Sequence, residues 1–346
     1  MKHWRKILAE SIKNPDDLPV NLRPDGKDSL TVTEKYPMRI NPYYLGLIRN
    51  KGDALWRQAV PDPLELNDHL CHVDPLGEED LSPVPNLIHK YPDRVLFLVH
   101  NQCAMYCRFC TRKRKVGTGG FPVNRKSIES GLDYIRRNPT VRDVLVSGGD
   151  PLLLEDDHLE WILAGLRSIP TVGIIRIGSR VPCTLPMRVT QKLARLLKKF
   201  HPLYLNTHFN HPDEITPDSA AACNRLADAG IPLGCQTVLL KGVNDNPEII
   251  KKLMYGLLLI RVKPYYIFQG DMTRGTDHFR TPIETGLEIM RQLTGFTSGM
   301  AVPRLAIDLP GGFGKVPLAP EYMVNRGRET GFRNYRGQYC TYLDPD

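Results

Sequence analysis

The feature that most constrains the fold is a regular alternation of short apolar runs with amphipathic stretches, which begins near residue 94. The unit of one run and one helical pattern repeats about every thirty residues. Strands and helices that alternate in this way form a parallel sheet, and right-handed crossovers curl such a sheet into a barrel or part of one. The predicted strands are 95–99, 143–147, 173–177, 203–206, 236–240, 265–268 and 305–308, and the predicted helices are 127–137, 158–167, 189–199, 218–229, 247–260 and 283–293.

The length of 346 residues suits one large α/β domain with extensions. We predict a partial (βα) TIM-like barrel with an N-terminal helical extension and a short C-terminal tail. In such a barrel, ligands bind at the C-terminal ends of the strands, where most of the unusual residue clusters of this chain fall. The predicted parts are a helical wrapping region at 1–92, the barrel at 93–310, and a lysine-bearing loop with the tail at 311–346.

Composition and charge exclude several classes of protein. Hydrophobic residues make up 41% and charged residues 24% of the chain, which is ordinary for a globular protein. No uninterrupted apolar run approaches the length of a membrane span, and the charged N-terminus does not resemble a secretory signal, so we expect a cytoplasmic protein. The formal net charge of +8 is spread along the chain, except for a dense basic run at 112–115. Three interpretations of that run are open: a basic face exposed to solvent, a patch that binds nucleic acid, or a site that binds anionic ligands.

Three of the eight cysteines form a cluster with chemical meaning. Cys103, Cys107 and Cys110 have the spacing C-x3-C-x2-C and directly follow the first predicted strand. Three thiolates so close together can hold three irons of a [4Fe–4S] cluster and leave the fourth iron for a small molecule. A structural zinc site requires four ligands, and His100 would complete only a poor zinc template. We therefore predict an iron–sulfur cluster.

The cysteine motif, with the aromatic Phe109 before its last cysteine, resembles the radical S-adenosylmethionine (SAM) superfamily. The chain is more closely similar to lysine 2,3-aminomutase over most of residues 4–325. This resemblance implies a barrel of radical SAM type, and an isomerase that interconverts L-lysine and β-lysine with a [4Fe–4S] cluster, SAM and pyridoxal 5′-phosphate (PLP). The matching segments are 89–94, 103–114, 146–152, 176–180, 205–212, 238–245, 264–266 and 310–315.

Several polar residues at strand ends are candidates for SAM binding. The glycine turn at 147–150 would by itself be an ordinary strand-to-helix connection. The resemblance implies that this turn meets the amino group of SAM. The polar residues at the end of the next strand, and one residue of a later strand, are candidates for binding its carboxylate. The candidates are Ser147, Gly148, Gly149, Asp150, Ser179, Arg180 and Gln236.

The glycine-rich segment 310–315 ends in Lys315. It is no Walker loop, because Val316 stands where that motif has serine or threonine. In isolation Lys315 would be a surface lysine, but a lysine with a lowered pKa can form an imine with PLP. The resemblance implies that role for Lys315, and it implies that Lys90 and Arg94 bind the PLP phosphate. The family usually has arginine where Lys90 stands.

The resemblance also implies a substrate site. Asp271 and Asp308 match the pair of aspartates that holds the ε-ammonium of lysine, and two carboxylates facing one buried cation make electrostatic sense. Arg112 matches the position that receives the substrate carboxylate, for which a guanidinium fork is suited. A glutamate-specific relative would need basic or neutral groups in place of the two acids.

Other functions remain open at this point. A related branch modifies a protein-bound lysine of elongation factor P, and arginine is a third candidate substrate. From another class, an iron–sulfur sensor could bind nucleic acid through the basic run, but it would need no PLP lysine and no aspartate pair. We expect a small amino acid substrate, an electron donor such as flavodoxin or ferredoxin, a homo-oligomer, and no membrane or nucleic-acid partner.

Overall fold

The computed structural model describes residues 2–26, 28–119 and 121–345, and over these ranges it contains one nine-stranded sheet and one three-stranded sheet. The strands of the large sheet are neighbours in chain order: β1 Leu87–Tyr91, β2 Arg94–His100, β3 Asp143–Gly148, β4 Ile174–Gly178, β5 Leu203–Thr207, β6 Leu233–Leu239, β7 Lys263–Gln269, β8 Arg304–Leu309 and β9 Gly314–Leu318. Strands β2 to β8 are parallel, whereas β1 and β9 pair antiparallel with β2 and β8. This nearly closed sheet confirms the predicted α/β partial barrel.

The helices lie where the amphipathic patterns predicted them. Side-chain caps define several of their starts: Asn124 accepts from the backbone N–H of Ser127, and Asn246 accepts from that of Glu248. The helices are α1 His3–Ala9, α2 Asp28–Lys35, α3 Pro42–Leu45, α4 Ala54–Ala59, α5 Arg125–Arg137, α6 Asp156–Arg167, α7 Val181–Thr184, α8 Gln191–Lys198, α9 Pro217–Asp228, α10 Pro247–Leu259 and α11 Ile283–Leu293. All seven predicted strands and six predicted barrel helices are present, with ends displaced by at most three residues.

Strand periodicity divides the side chains between the core and the interior of the barrel. Along β3, Val144 and Val146 are fully buried in the main hydrophobic core, while Leu145 and Ser147 point the other way and line a cavity. The same alternation in the neighbouring strands brings polar residues of distant sequence position into one interior. The barrel therefore positions the site.

The regions outside the predicted barrel contain strands that the sequence did not reveal. β1 lies within the N-terminal wrapping region, and β9 replaces the loop expected around Lys315. The tail forms the small antiparallel sheet of β10 Met323–Asn325, β11 Glu329–Arg333 and β12 Tyr339–Leu343. The three-part division at residues 92 and 310 stays a prediction. No helix in the described part of the chain is long and apolar enough to cross a membrane.

Candidate active site

A cavity of about 640 Å³ lies inside the barrel, a volume in the usual range for small-molecule sites. Every residue that the sequence singled out for the site lines this cavity. They are Lys90, Arg94, Cys103, Cys107, Cys110, Arg112, Ser147, Gly148, Gly149, Asp150, Ser179, Arg180, Gln236, Asp271, Asp308 and Lys315. The fold thus brings together groups that lie more than 200 positions apart in the chain.

The three cysteines of the motif lie in the loop that follows β2. Burial raises the pKa of Cys103, and the neighbouring Asp150 and the other two cysteines raise it further. A cubane gives each of three cysteines its own iron and leaves the fourth iron open, so a donor set of three thiolates fits a [4Fe–4S] cluster.

A buried ion-pair network holds the cysteine loop from outside the cavity. Arg108, between the second and third cysteines, donates to both carboxylate oxygens of Glu65 at 2.8 and 2.5 Å. Lys113 donates to Glu65 at 2.7 Å and to the carbonyl oxygen of Gly275 at 2.9 Å. Burial acts to raise the pKa of Glu65, but the two cations lower it to about 2. The backbone on both sides of Cys110 is therefore anchored by charge.

The glycine turn after β3 packs directly against the start of the cysteine loop. The N–H of Gly149 donates to the carbonyl oxygen of His100 at 2.5 Å, and that of Asp150 donates to Gln102 at 2.8 Å. Gly148 has a φ of +135°, and a Cβ there would lie 2.1 Å from the carbonyl oxygen of His100. The two glycines are required because a side chain would push the turn away from the cysteines.

The carboxylate of Asp150 joins this turn to the end of β4. It accepts from the hydroxyl of Ser179 at 2.7 Å and from the backbone N–H groups of Arg180 and Val181 at 2.8 and 3.1 Å. Burial raises the pKa of Asp150 to about 6. The side chain of Asp150 therefore fixes two strand ends relative to each other.

The guanidinium of Arg180 lies beside the cysteines. It donates to the Sγ atom of Cys107 at 2.8 Å, to Glu214 at 2.6 Å and to Gln58 at 2.7 Å, while its Nε atom is buried without a partner. Glu214 and Gln58 were not predicted, although both are fully buried and polar. The arrangement places one cation next to Cys107 and leaves its Nε atom able to donate to an anionic ligand.

Lys315 faces a carboxylate across the seam of the barrel. In the antiparallel pair β8–β9 it lies directly opposite Asp308, and its Nζ atom is 2.5 Å from Oδ2 of that residue. Lys90 lies 3.6 Å from the other oxygen of Asp308. Tyr91 accepts the backbone N–H of Lys315 at 3.1 Å, and Arg94 packs 3.9 Å from the centre of the Tyr91 ring. The cations predicted for PLP thus lie on β1 and β2, beside the lysine.

The two aspartates predicted for the substrate act on each other. Burial raises the pKa of Asp271 to about 7, and the nearby charge of Asp308 contributes to that rise, whereas Lys315 and Arg112 oppose it. A cation bound beside Asp271 would favour the ionised form of that acid. The two acids therefore offer a place for a positively charged group.

The basic run at 112–115 is paired with acids instead of forming a free face. Arg112 contacts Glu78, Arg114 contacts Asp74 at 2.8 Å, and Lys113 contacts Glu65. Lys115 lies 3.9 and 3.8 Å from the carboxylates of Glu78 and Glu79. The solvated-face and nucleic-acid interpretations of this run are therefore not supported.

Some cavity residues escaped sequence reasoning. Arg176, which pairs with Asp143 at 2.8 Å, lies in a segment that carried the resemblance but received no role. Glu78 comes from an irregular stretch without periodicity. Outside the cavity, Glu65 had a local signal only for the start of a helix, because Asp62 and Glu65 form a capping box.

Two family models match the chain. The radical SAM superfamily model matches residues 97–253, and the lysine-2,3-aminomutase model matches residues 290–346. The chain is 48% identical to the L-lysine 2,3-aminomutase of Acetoanaerobium sticklandii, over 99% of this chain and 84% of that protein. This chain belongs to the lysine 2,3-aminomutase family.

Other members of the lysine 2,3-aminomutase family are similarly close. The L-lysine 2,3-aminomutase of Clostridium subterminale is 51% identical over 89% of this chain and 75% of that protein. The glutamate 2,3-aminomutase of Clostridioides difficile is 47% identical over 86% of this chain and 71% of that protein. Family membership makes the protein a radical SAM isomerase whose cofactors are a [4Fe–4S] cluster, SAM and PLP.

Proposed function

We propose that the protein is a lysine 2,3-aminomutase that moves the amino group of L-lysine from C2 to C3. The observation that carries this proposal is the pair of Asp271 and Asp308 in the same cavity as the three cysteines and Lys315. Two acids suit the ε-ammonium of lysine, and they would repel the side-chain carboxylate of glutamate.

The cysteine end of the cavity is proposed as the cluster and SAM site. Cys103, Cys107 and Cys110 would hold three irons, and Arg180 beside Cys107 suits the carboxylate of SAM. An ammonium group needs hydrogen-bond acceptors, so the carbonyl oxygens of the turn at 147–150 are its natural partners. Gln236 and Ser179 complete this part of the cavity wall.

The opposite end is proposed as the PLP and substrate site. Lys315 would attach PLP covalently, while Lys90 and Arg94 would hold its phosphate. Asp308, which contacts Lys315 in this structure, would with Asp271 face the ε-ammonium of the substrate lysine. Arg112 would then bind the substrate carboxylate.

The cofactors, when bound, supply one-electron SAM cleavage, hydrogen abstraction, and stabilisation of the substrate radical during nitrogen migration. The residues of this chain provide position, charge balance and the walls of the cavity. The acids would hold one end of the substrate and Arg112 would hold the other, in the same cavity as the three cysteines. We further propose a cytoplasmic homo-oligomer that receives electrons from a flavodoxin or ferredoxin.

The test is an anaerobic assay of protein reconstituted with iron, sulfide and PLP. SAM, a reductant and L-lysine are added, and the products are separated for β-lysine. We expect β-lysine from L-lysine and none of the β-amino acid from L-glutamate in a parallel reaction. Product from arginine or from elongation factor P, with none from lysine, would refute the proposal.

A further inference from the structure

Glu78 is a buried acid that contacts the residue proposed to bind the substrate carboxylate. Its side chain is only 4% exposed, and its Oε1 atom accepts from the Nε and Nη2 atoms of Arg112 at 2.8 and 2.6 Å. Both residues line the cavity. The Nε–Nη2 edge of the guanidinium is therefore occupied by the protein, which leaves the edge bearing Nη1 for a ligand.

The segment that carries Glu78 packs against the loop that precedes Lys315. The backbone N–H of Gly311, in the loop before Lys315, donates to the carbonyl oxygen of Pro75 at 2.7 Å. Gly77 has a φ of +61°, and a Cβ there would lie 3.3 Å from the backbone of Gly311. This close approach gives the carboxylate of Glu78 a defined position between the lysine loop and the basic run.

Arg112 shares the cavity with Asp271, one of the two acids proposed to bind the ε-ammonium of the substrate. A long, flexible guanidinium without Glu78 would be drawn toward Asp271. An Arg112–Asp271 pair would neutralise the two recognition charges of the cavity: the guanidinium proposed to bind the substrate carboxylate and the carboxylate proposed to bind its ε-ammonium.

We propose that Glu78 is a positioning residue that holds Arg112 away from Asp271 and presents its free edge to the substrate α-carboxylate. This inference rests on the proposed function. Glu78 makes the two recognition charges of the cavity independent, so one binds the carboxylate and the other binds the ammonium. Its effect is therefore on affinity for substrates that carry an α-carboxylate.

The test compares Glu78→Gln with Glu79→Gln in the reconstituted holoenzyme. Glu79 lies on the same segment and contacts Arg114 and Lys115, but its side chain is 65% exposed. We expect Glu78→Gln to raise the KM for L-lysine about tenfold, with kcat within about twofold, because a charge-assisted hydrogen bond is lost from substrate binding. Glu79→Gln is expected to match the wild type.

Binding provides a readout that does not depend on turnover. The PLP absorption spectrum is titrated without SAM, first with L-lysine and then with L-lysinamide, which lacks the carboxylate. For half of the spectral change, the Glu78→Gln variant is expected to need about ten times as much lysine as the wild type. It is expected to need the same concentration of lysinamide as the wild type. An equal loss of affinity for lysine and for lysinamide would show that Glu78 stabilises the site as a whole, and it would overturn the proposal.

Iron and PLP content per chain show whether the variant retains its fold. If Glu78→Gln loses either cofactor, Glu78→Asp keeps the charge and is expected to give an intermediate KM. If the wild type is active and both Glu78→Gln and Glu78→Asp have the same KM for lysine as the wild type, the role proposed for Glu78 is overturned. The proposed function of the protein is not affected by that result. A wild type that neither forms β-lysine nor responds spectrally to lysine overturns the proposed function and this inference with it.

Discussion

The buried network behind the cysteine loop predicts a large loss of stability in Glu65→Gln. Glu65 is fully buried and bridges Arg108 and Lys113. Its pKa is lowered from 4.5 to about 2 in the folded state. A depressed carboxyl pKa stabilises the fold fully above the unfolded value and loses this effect as pH falls toward 2. At neutral pH the difference corresponds to about 3 kcal/mol, similar to the cost of breaking a buried ion pair.

The assay is urea unfolding of the reconstituted protein under anaerobic conditions, followed by tryptophan fluorescence. Glu129→Gln is the matched control, because Glu129 pairs with Arg125 on the surface and its side chain is 52% exposed. We expect the control to change the free energy of unfolding by less than about 0.5 kcal/mol. A loss of less than about 1 kcal/mol in Glu65→Gln would refute the argument that the network anchors the loop.

Three further predictions concern the cavity itself. Burial raises the pKa of Asp271 to about 7, so its charged form, which would bind the substrate ammonium, forms as pH rises through that value. In steady-state assays the KM of the wild type for lysine should therefore fall as pH rises through about 7. Asp271→Asn should show a high KM without that trend. Gly148→Ala should lose iron, because its Cβ would lie 2.1 Å from the carbonyl oxygen of His100. Gly119→Ala is the control and should retain iron, because a Cβ there would meet nothing within 4 Å. Iron is measured by colorimetric analysis. Lys315→Ala should lose the visible absorption of bound PLP and keep its iron content; an unchanged PLP spectrum would contradict the assignment of Lys315.

The barrel could be predicted because its strands and helices carry their own periodicity. The antiparallel edge strands could not be predicted, since β1 is only five residues long and includes His89 and Lys90, while β9 contains Pro317 and starts at Gly314. A proline is tolerated in an edge strand, where one face of the backbone has no partner. The result is that Lys315, expected in a loop, lies on a strand opposite Asp308.

The candidate site could be predicted where its residues have distinctive chemistry, such as the cysteine triplet. The groups that balance the buried charges could not. Glu65 and Glu78 lie 43 and 34 positions before the arginines that they bind, and neither has a spacing that indicates this. Compensation of buried charge is a property of the folded chain, because only packing decides which acid meets which base.

The most direct test of the central claim, that one cavity brings SAM and lysine together, uses L-lysine deuterated at C3. After turnover with SAM, the deuterium content of the 5′ carbon of recovered SAM is measured by mass spectrometry. The arrangement of the cysteines opposite Asp271, Asp308 and Lys315 predicts that deuterium moves from lysine to SAM as β-lysine accumulates. Formation of β-lysine without any deuterium in SAM would contradict the account.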